Sequence, residues 1–283
     1  MQNSSYTIRT MTRTDLDLAV EWAAAEGWNP GLHDAGSFYA ADPNGFLIGL
    51  LDDEPIAVIS VVKYGESFGF LGFYIVKPEY RGQGYGLKIW NAGMESLQGR
   101  NIGLDGVVAQ QENYKRSGFQ LAYSNQRYEG TGGGEPINDP QIVSLSSLPF
   151  EAIAAYDQPF YPDERTTFLR HWVAQTDSIA LGWVENGQLS GYGIVRPSRN
   201  GYRIGPLFAD TPTIAGKLFE ALKTRIPQDA PLFLDVSEAN AAAVELAEQH
   251  GMTMMFETAR MYTGETPNIP IGRLYGVTTL ELG

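Results

Sequence analysis

Between Val76 and Gly86 the chain reads VKPEYRGQGYG, a strand end, a proline turn, a cation and three glycines, and it continues as LKIWNAGMESL with helical spacing. The first turn of a helix leaves backbone N–H groups without intrahelical partners, and glycine lets a ligand approach them closely. With Arg81 as a fixed cation beside it, the loop is a cradle for a phosphate-bearing ligand. A surface loop whose glycines serve only the turn, with Arg81 in a salt bridge, is the alternative. Two common phosphate loops are excluded. Gly86 is followed by Leu87 and Lys88, so no G-x-x-x-x-G-K-[ST] is present, and the spacing of Gly82, Gly84 and Gly86 is not G-x-G-x-x-G.

The elements that position this loop follow from the apolar pattern. A strand, YTIRTM, precedes a helix capped by Thr14, with Leu18, Trp22 and Ala25 on one face and an end at Gly27. After EGWNPGLHD comes a short helix around Ser37 to Ala40. Strands GFLIGLL and IAVISVVKY join through the turn Asp52-Asp53-Glu54-Pro55, and FGFLGFYIV runs into the glycine loop. Beyond its helix lie a strand over 102–108, a helix ending at Ser117 and a strand over 119–128. Gly118 suits the position just past a helix end. The stretch YEGTGGGEPIND, Tyr128 to Asp139, is too polar and glycine-rich to build core and reads as a linker. The second half repeats the plan: a hairpin about Asn186-Gly187, a third strand, a helix TPTIAGKLFEALKTR, a strand PLFLDV, a helix ending at Gly251 and a last strand.

Composition narrows the function classes. A hydrophobic content of 43% with 12% aromatics over 283 residues gives ample core for two ordinary domains. The net charge of −13 and the lack of a Lys/Arg cluster speak against nucleic acid. With no cysteine, disulfides, thiolate nucleophiles and Cys-ligated zinc are excluded, and no metal-ligand spacing is present. No apolar run is long enough to span a membrane.

Arg81-x-x-Gly84-x-Gly86 directly after an apolar strand resembles the acyl-CoA pyrophosphate loop of the GNAT superfamily of N-acetyltransferases, whose pattern is Gln/Arg-x-x-Gly-x-Gly/Ala. Downstream, Tyr114, Gly118 and Phe119 in NYKRSGFQLAY fill the Tyr-x-x-x-Gly-Phe that closes the GNAT core. The second half looks like a divergent GNAT domain: Asn240, Ala243 and Gly251 echo the end motif with Ala247 in place of the tyrosine. Its ADTPTIAGK has neither the arginine nor the close glycines. The resemblance implies an α+β protein with a GNAT domain over 1–130, a linker over 131–141 and a GNAT-like domain over 142–283. Each domain is expected to have a mixed, mostly antiparallel central sheet flanked by helices, and the first to hold the competent site.

What the resemblance implies chemically is direct acyl transfer from acetyl-CoA to an amine in a ternary complex, without metal. Arg81, Gly82, Gln83, Gly84, Tyr85 and Gly86 would take the pyrophosphate, Ile75 and Val76 the pantetheine, with Asn113 also on the cofactor. Tyr114 would be the general acid, or a core tyrosine. The position eleven residues ahead of Arg81, where many relatives place a glutamate base, is Phe70, so that base is absent; Asp105 in GLDGV is the substitute candidate, against a strand-end role. Trp28 and Asn29 border the expected acceptor site, or pack and turn. His33 is a weak candidate, and Trp22, Trp90, Trp172 and Trp183 read as core. A small amine or amino-acid-like acceptor is expected, with a protein N-terminus or lysine, or a non-catalytic CoA-binding regulatory module, as alternatives. The protein is expected in the cytoplasm, without membrane or nucleic-acid partners, and as a possible homodimer.

Overall fold

The computed structural model describes residues 5–283. Its first half runs β1 (Tyr6–Thr10), α1 (Arg13–Ala25), α2 (Asp34–Ala41), β2 (Phe46–Leu51), β3 (Glu54–Tyr64), β4 (Phe68–Val76), α3 (Tyr85–Ser96), β5 (Asn101–Val107), α4 (Gln111–Arg116) and β6 (Gln120–Thr131). The second half runs β7 (Ile142–Ser144), α5 (Phe150–Asp157), α6 (Thr166–Val173), β8 (Ile179–Glu185), β9 (Gln188–Pro197), β10 (Tyr202–Ala209), α7 (Pro212–Lys223), β11 (Pro231–Ser237), α8 (Ala241–Gln249), β12 (Thr253–Tyr262) and β13 (Leu274–Gly276). The fold is α+β, with two like units.

Local chemistry explains most boundaries. Helix α1 is capped by Thr12 rather than Thr14. The Thr12 hydroxyl accepts from the Asp15 N–H at 3.2 Å, and the Asp15 carboxylate accepts from the Thr12 N–H at 2.7 Å. The Asp52-Asp53 turn has φ of 48° and 68°, and Asn186-Gly187 has 51° and 79°; left-handed pairs of this kind match the twist of a two-residue hairpin. Helices α5 and α6 fill a stretch that the pattern reading leaves blank.

The two units share one sheet, ordered β1-β2-β3-β4-β5-β12-β6-β11-β10-β9-β8-β7, with β13 against β10. Each unit gives its last long strand to the junction: β12 lies antiparallel between β5 and β6, and β6 pairs in turn with β11. The glycine-rich stretch after β6 is tied down. Gly132 and Gly133 donate to the carbonyls of Ala230 and Lys223 at 2.8 and 3.0 Å.

Behind the junction a single apolar core joins both units, with Phe38 of α2 stacked on Trp172 of α6 at 5.9 Å. Trp90, Trp172 and Trp183 are all buried. Among the described residues, five buried ion pairs cross or edge this junction: Arg196–Asp34 at 2.9 Å, Arg127–Asp235 at 2.6 Å, Arg203–Asp235 at 2.8 Å, Arg203–Glu281 at 3.3 Å and Arg260–Asp105 at 2.5 Å. Burial works against an ionised Asp235, but Arg127 and Arg203 outweigh it and hold the carboxyl well below the usual carboxylate range.

Candidate active site

Strands β4 and β5 pair in parallel only from Phe68↔Asn101 to Leu71↔Leu104, and then part. The cause lies on the other edge of β4. Ser60 opposes Gly72 and Val58 opposes Ile75, so Phe73 and Tyr74 together face the single residue Ile59. This bulge puts Phe73 at φ 45°, a conformation a bulky residue seldom adopts. Aromatic packing supports it: the buried Phe73 ring lies 5.7 Å from Phe38 and 6.4 Å from Trp28. The extra residue bends β4 away from β5 and opens a cleft of about 570 Å³.

The glycine loop lies at the mouth of the cleft. Gly82 and Gly84 have φ of 74° and 85°, and Gly84 is the N-cap of α3 with no side chain capping it. The first N–H groups of α3 are therefore bare. A Cβ on Gly86 would stand 2.7 Å from the Tyr74 hydroxyl and 3.2 Å from Val76, so glycine is what lets α3 sit against β4. Arg81 donates from Nε to the Val76 carbonyl at 2.8 Å and from Nη2 to the Glu26 carboxylate, while half its side chain stays in solvent. An uncapped helix end, open glycines and a half-free guanidinium fit a pyrophosphate.

Of the residues proposed for the cofactor, Ile75, Val76, Arg81, Gly82, Gly84 and Gly86 line the cleft. The side chains of three others are used elsewhere. Gln83 donates to the Glu79 carbonyl at 2.8 Å, Tyr85 packs on Tyr6 at 4.9 Å, and Asn113 donates to Gln110 at 2.6 Å.

Tyr114, on α4, lines the cleft with its ring stacked on Trp90 at 5.6 Å. It lies over Gly106, where a Cβ would strike the ring at 2.1 Å. Burial, helped by the neighbouring Tyr74, pushes its phenol up to about 12, so the hydroxyl keeps its proton throughout the neutral range.

Two expected roles are corrected by the side-chain contacts. Asp105 borders the cleft, but its carboxylate is fully buried and already engaged: by Arg260, by Asn125 at 2.8 Å and by Thr258 at 3.4 Å. Arg260 is its direct cross-strand neighbour on β12, brought there by the strand exchange. Asp105 is thus a counter-ion and not a free base. Asn29 turns away from the cleft and brackets the two units, donating to Ser198 Oγ at 3.2 Å and the Asn200 carbonyl at 3.0 Å and accepting from the Asn200 N–H at 2.8 Å. Trp28 does line the cleft, and its carbonyl accepts from Arg127 at 2.7 Å. His33 lies outside, 3.3 Å from the exposed Asp177.

The cleft also has walls that motif reading misses. Phe256, Thr258, Leu280 and Glu281 come from the second unit, and Arg127 from β6. No local signal marks them, because the shared sheet alone brings them to the site. Among the described residues no group of three His, Cys, Asp or Glu is placed to hold a metal ion, and no helix is long and apolar enough to cross a membrane.

A parallel pair splayed by a bulge and followed by a helix whose first N–H groups carry no cap forms the cleft, and it occurs in a molecule of two like units. Residues 12–136 match the family described as acetyltransferase (GNAT) family, and residues 153–276 match the acetyltransferase (GNAT) domain. The holothin acyltransferase of Pseudoalteromonas sp. (strain SANK 73390) is 30% identical over all of this chain and 96% of its own length. The chain belongs to the GNAT family and is an acyltransferase with two GNAT domains. Two solved structures share the fold. A Pyrococcus horikoshii protein provisionally assigned as an acetyltransferase superposes with a TM-score of 0.83 at 23% identity, covering 100% of this chain and 97% of its own. A tandem GNAT protein from the clavulanic acid biosynthesis pathway gives 0.63 at 13% identity, with 93% and 100% coverage.

Proposed function

We propose that the protein transfers an acetyl group from acetyl-CoA to a small primary amine, directly and in a ternary complex. The observation that carries the acceptor class is the closure of the cleft by the second unit: Phe256, Thr258, Leu280 and Glu281 stand where an open groove for a polypeptide would run. The full-length likeness to an enzyme named for holothin as its acceptor is consistent with this. Arg81 and the N–H groups opening α3 would take the pyrophosphate, and Ile75 and Val76, on the part of β4 beyond its pairing with β5, the pantetheine. Acetyl-CoA supplies the activated acyl group; the chain supplies position and hydrogen bonds.

Tyr114 donates to the sulfur as it leaves. The carboxylates that line the cleft are already paired, Glu26 with Arg81, Asp105 with Arg260, and Glu281 with Arg203 and Thr279. The amine therefore gives its proton to water in the cleft. Acetyl-CoA is made in the cytoplasm, which is where we place the protein. The net charge of −13 disfavours a nucleic-acid partner.

Thermal melting tests the reading. Acetyl-CoA at about 100 times its Kd should stabilise the wild type by about 2.7 kcal/mol. Arg81→Ala should weaken binding about 10-fold, which at the same acetyl-CoA concentration cuts the rise to about 1.4 kcal/mol. No rise in the wild type would sink the proposal.

A further inference from the structure

Resting on the reading above, we propose that the main-chain carbonyl of Glu281 orients the acceptor amine, so that the segment Thr279–Gly283 of the second unit sets what the first unit acylates. The observation is a close approach. Gly72 lies at the apex of the cleft, one residue beyond the last β4–β5 pair. A Cβ placed on it would stand 2.1 Å from the Glu281 carbonyl oxygen. That oxygen faces the β4 backbone where the strands part, and Gly72 and Glu281 both line the cleft. Among the described residues no donor reaches it. Glu281 is buried, and a buried carbonyl without a partner is a ready acceptor for a ligand N–H.

The segment is held firmly enough to position a reactant. The Leu282 carbonyl accepts from the Tyr64 hydroxyl at 3.2 Å and the Tyr161 hydroxyl at 2.8 Å. The Glu281 carboxylate accepts from Arg203 at 3.3 Å and from the Thr279 hydroxyl. Thr279 and Leu282 are fully buried. In the transfer, the amine nitrogen bonds to the thioester carbonyl carbon and the C–S bond breaks with its electron pair on sulfur. One proton leaves nitrogen and one reaches sulfur. A neutral primary amine has two N–H bonds and one lone pair. Donating one N–H to Glu281 turns the lone pair toward the carbonyl carbon, and the other N–H is lost in the reaction.

Two variants test this with hydroxylamine, a minimal amine that is largely unprotonated at neutral pH and that pocket shape does not exclude. Gly72→Ala must push the Glu281 peptide aside. Tyr64→Phe combined with Tyr161→Phe releases Leu282 without touching the cleft, and it decides the matter if Gly72→Ala misfolds. Acetyl-CoA affinity is measured by calorimetry, and acetohydroxamate is quantified against acetate from hydrolysis. We expect acetyl-CoA binding to be kept in both variants. The hydroxamate-to-acetate ratio should fall at least about 10-fold in Gly72→Ala, and less in the double variant, since a misplacement of about 1 Å can cost about 100-fold. General damage to the fold lowers both products together, so the ratio isolates positioning. An unchanged ratio in both variants with acetyl-CoA bound would overturn the assignment. A wild type that does not bind acetyl-CoA would instead overturn the functional reading on which it rests.

Discussion

The two units carry the same strand–loop–helix step, and they finish it in opposite ways. In the first, β4 parts from β5, the wedge stays open, and α3 begins on Gly84 with no cap. In the second, β10 pairs in parallel with β11 only to Ile204↔Leu234 and then parts from it. There the wedge is filled by the chain itself: β13 pairs with β10 at Leu207↔Gly276, and Val277 donates to the Asp235 carbonyl of β11 at 2.8 Å. The helix end is sealed too. The Thr211 hydroxyl accepts from Ile214 N–H at 3.3 Å, Pro212 has no N–H to offer, and Asp210 is paired with Arg273. One scaffold thus yields an open cleft or a packed core, depending on whether its bare N–H groups and its wedge are left empty.

The largest effect should come from the junction that couples the two units. Asp235→Asn leaves Arg127 and Arg203 buried without their shared counter-charge and should destabilise the protein by about 3–5 kcal/mol, measured by urea unfolding. Because the Asp235 carboxyl is held low, the stability it confers is complete above the unfolded carboxylate value of about 4 and is lost only as pH falls toward its depressed folded value.

Next comes the open wedge. Tyr114→Phe should lower kcat about 100-fold with acetyl-CoA affinity unchanged, and an unchanged kcat would remove Tyr114 from the mechanism. With its phenol raised to about 12, Tyr114 contributes stability that is whole below about pH 10 and is lost as pH rises through 12. The rate should therefore show no Tyr114 limb near neutrality. The smallest effect belongs to the sealed wedge. Thr211→Ala removes a helix cap worth about 1 kcal/mol, and its melting point should drop without altering the response to acetyl-CoA. An altered response would mean that the second unit also takes the ligand.

What could be read from the sequence was local. The glycine loop, the Asn186-Gly187 hairpin and the helix-ending glycines announce themselves within a few residues, and the order of elements followed from them. Strand pairing did not. The apolar pattern of β6 suits β5 or β12 as a neighbour equally well, and nothing near Asp105 marks Arg260, 155 residues away, as its partner. Asn29-Pro30 reads as a turn beside a substrate, and only the position of the 198–200 loop shows which backbone its amide serves. The second unit's wall of the cleft was hidden for the same reason: Glu281 has no motif, only a place in the sheet's geometry.

The exchanged strands also bear on how the molecule is made. During synthesis β5 emerges long before its neighbour β12, so the first unit waits on the ribosome with a sheet edge unpaired. The contact that closes it spans more than half the chain, which favours slow, late completion of the sheet and leaves the nascent protein dependent on protection until its last third has been translated.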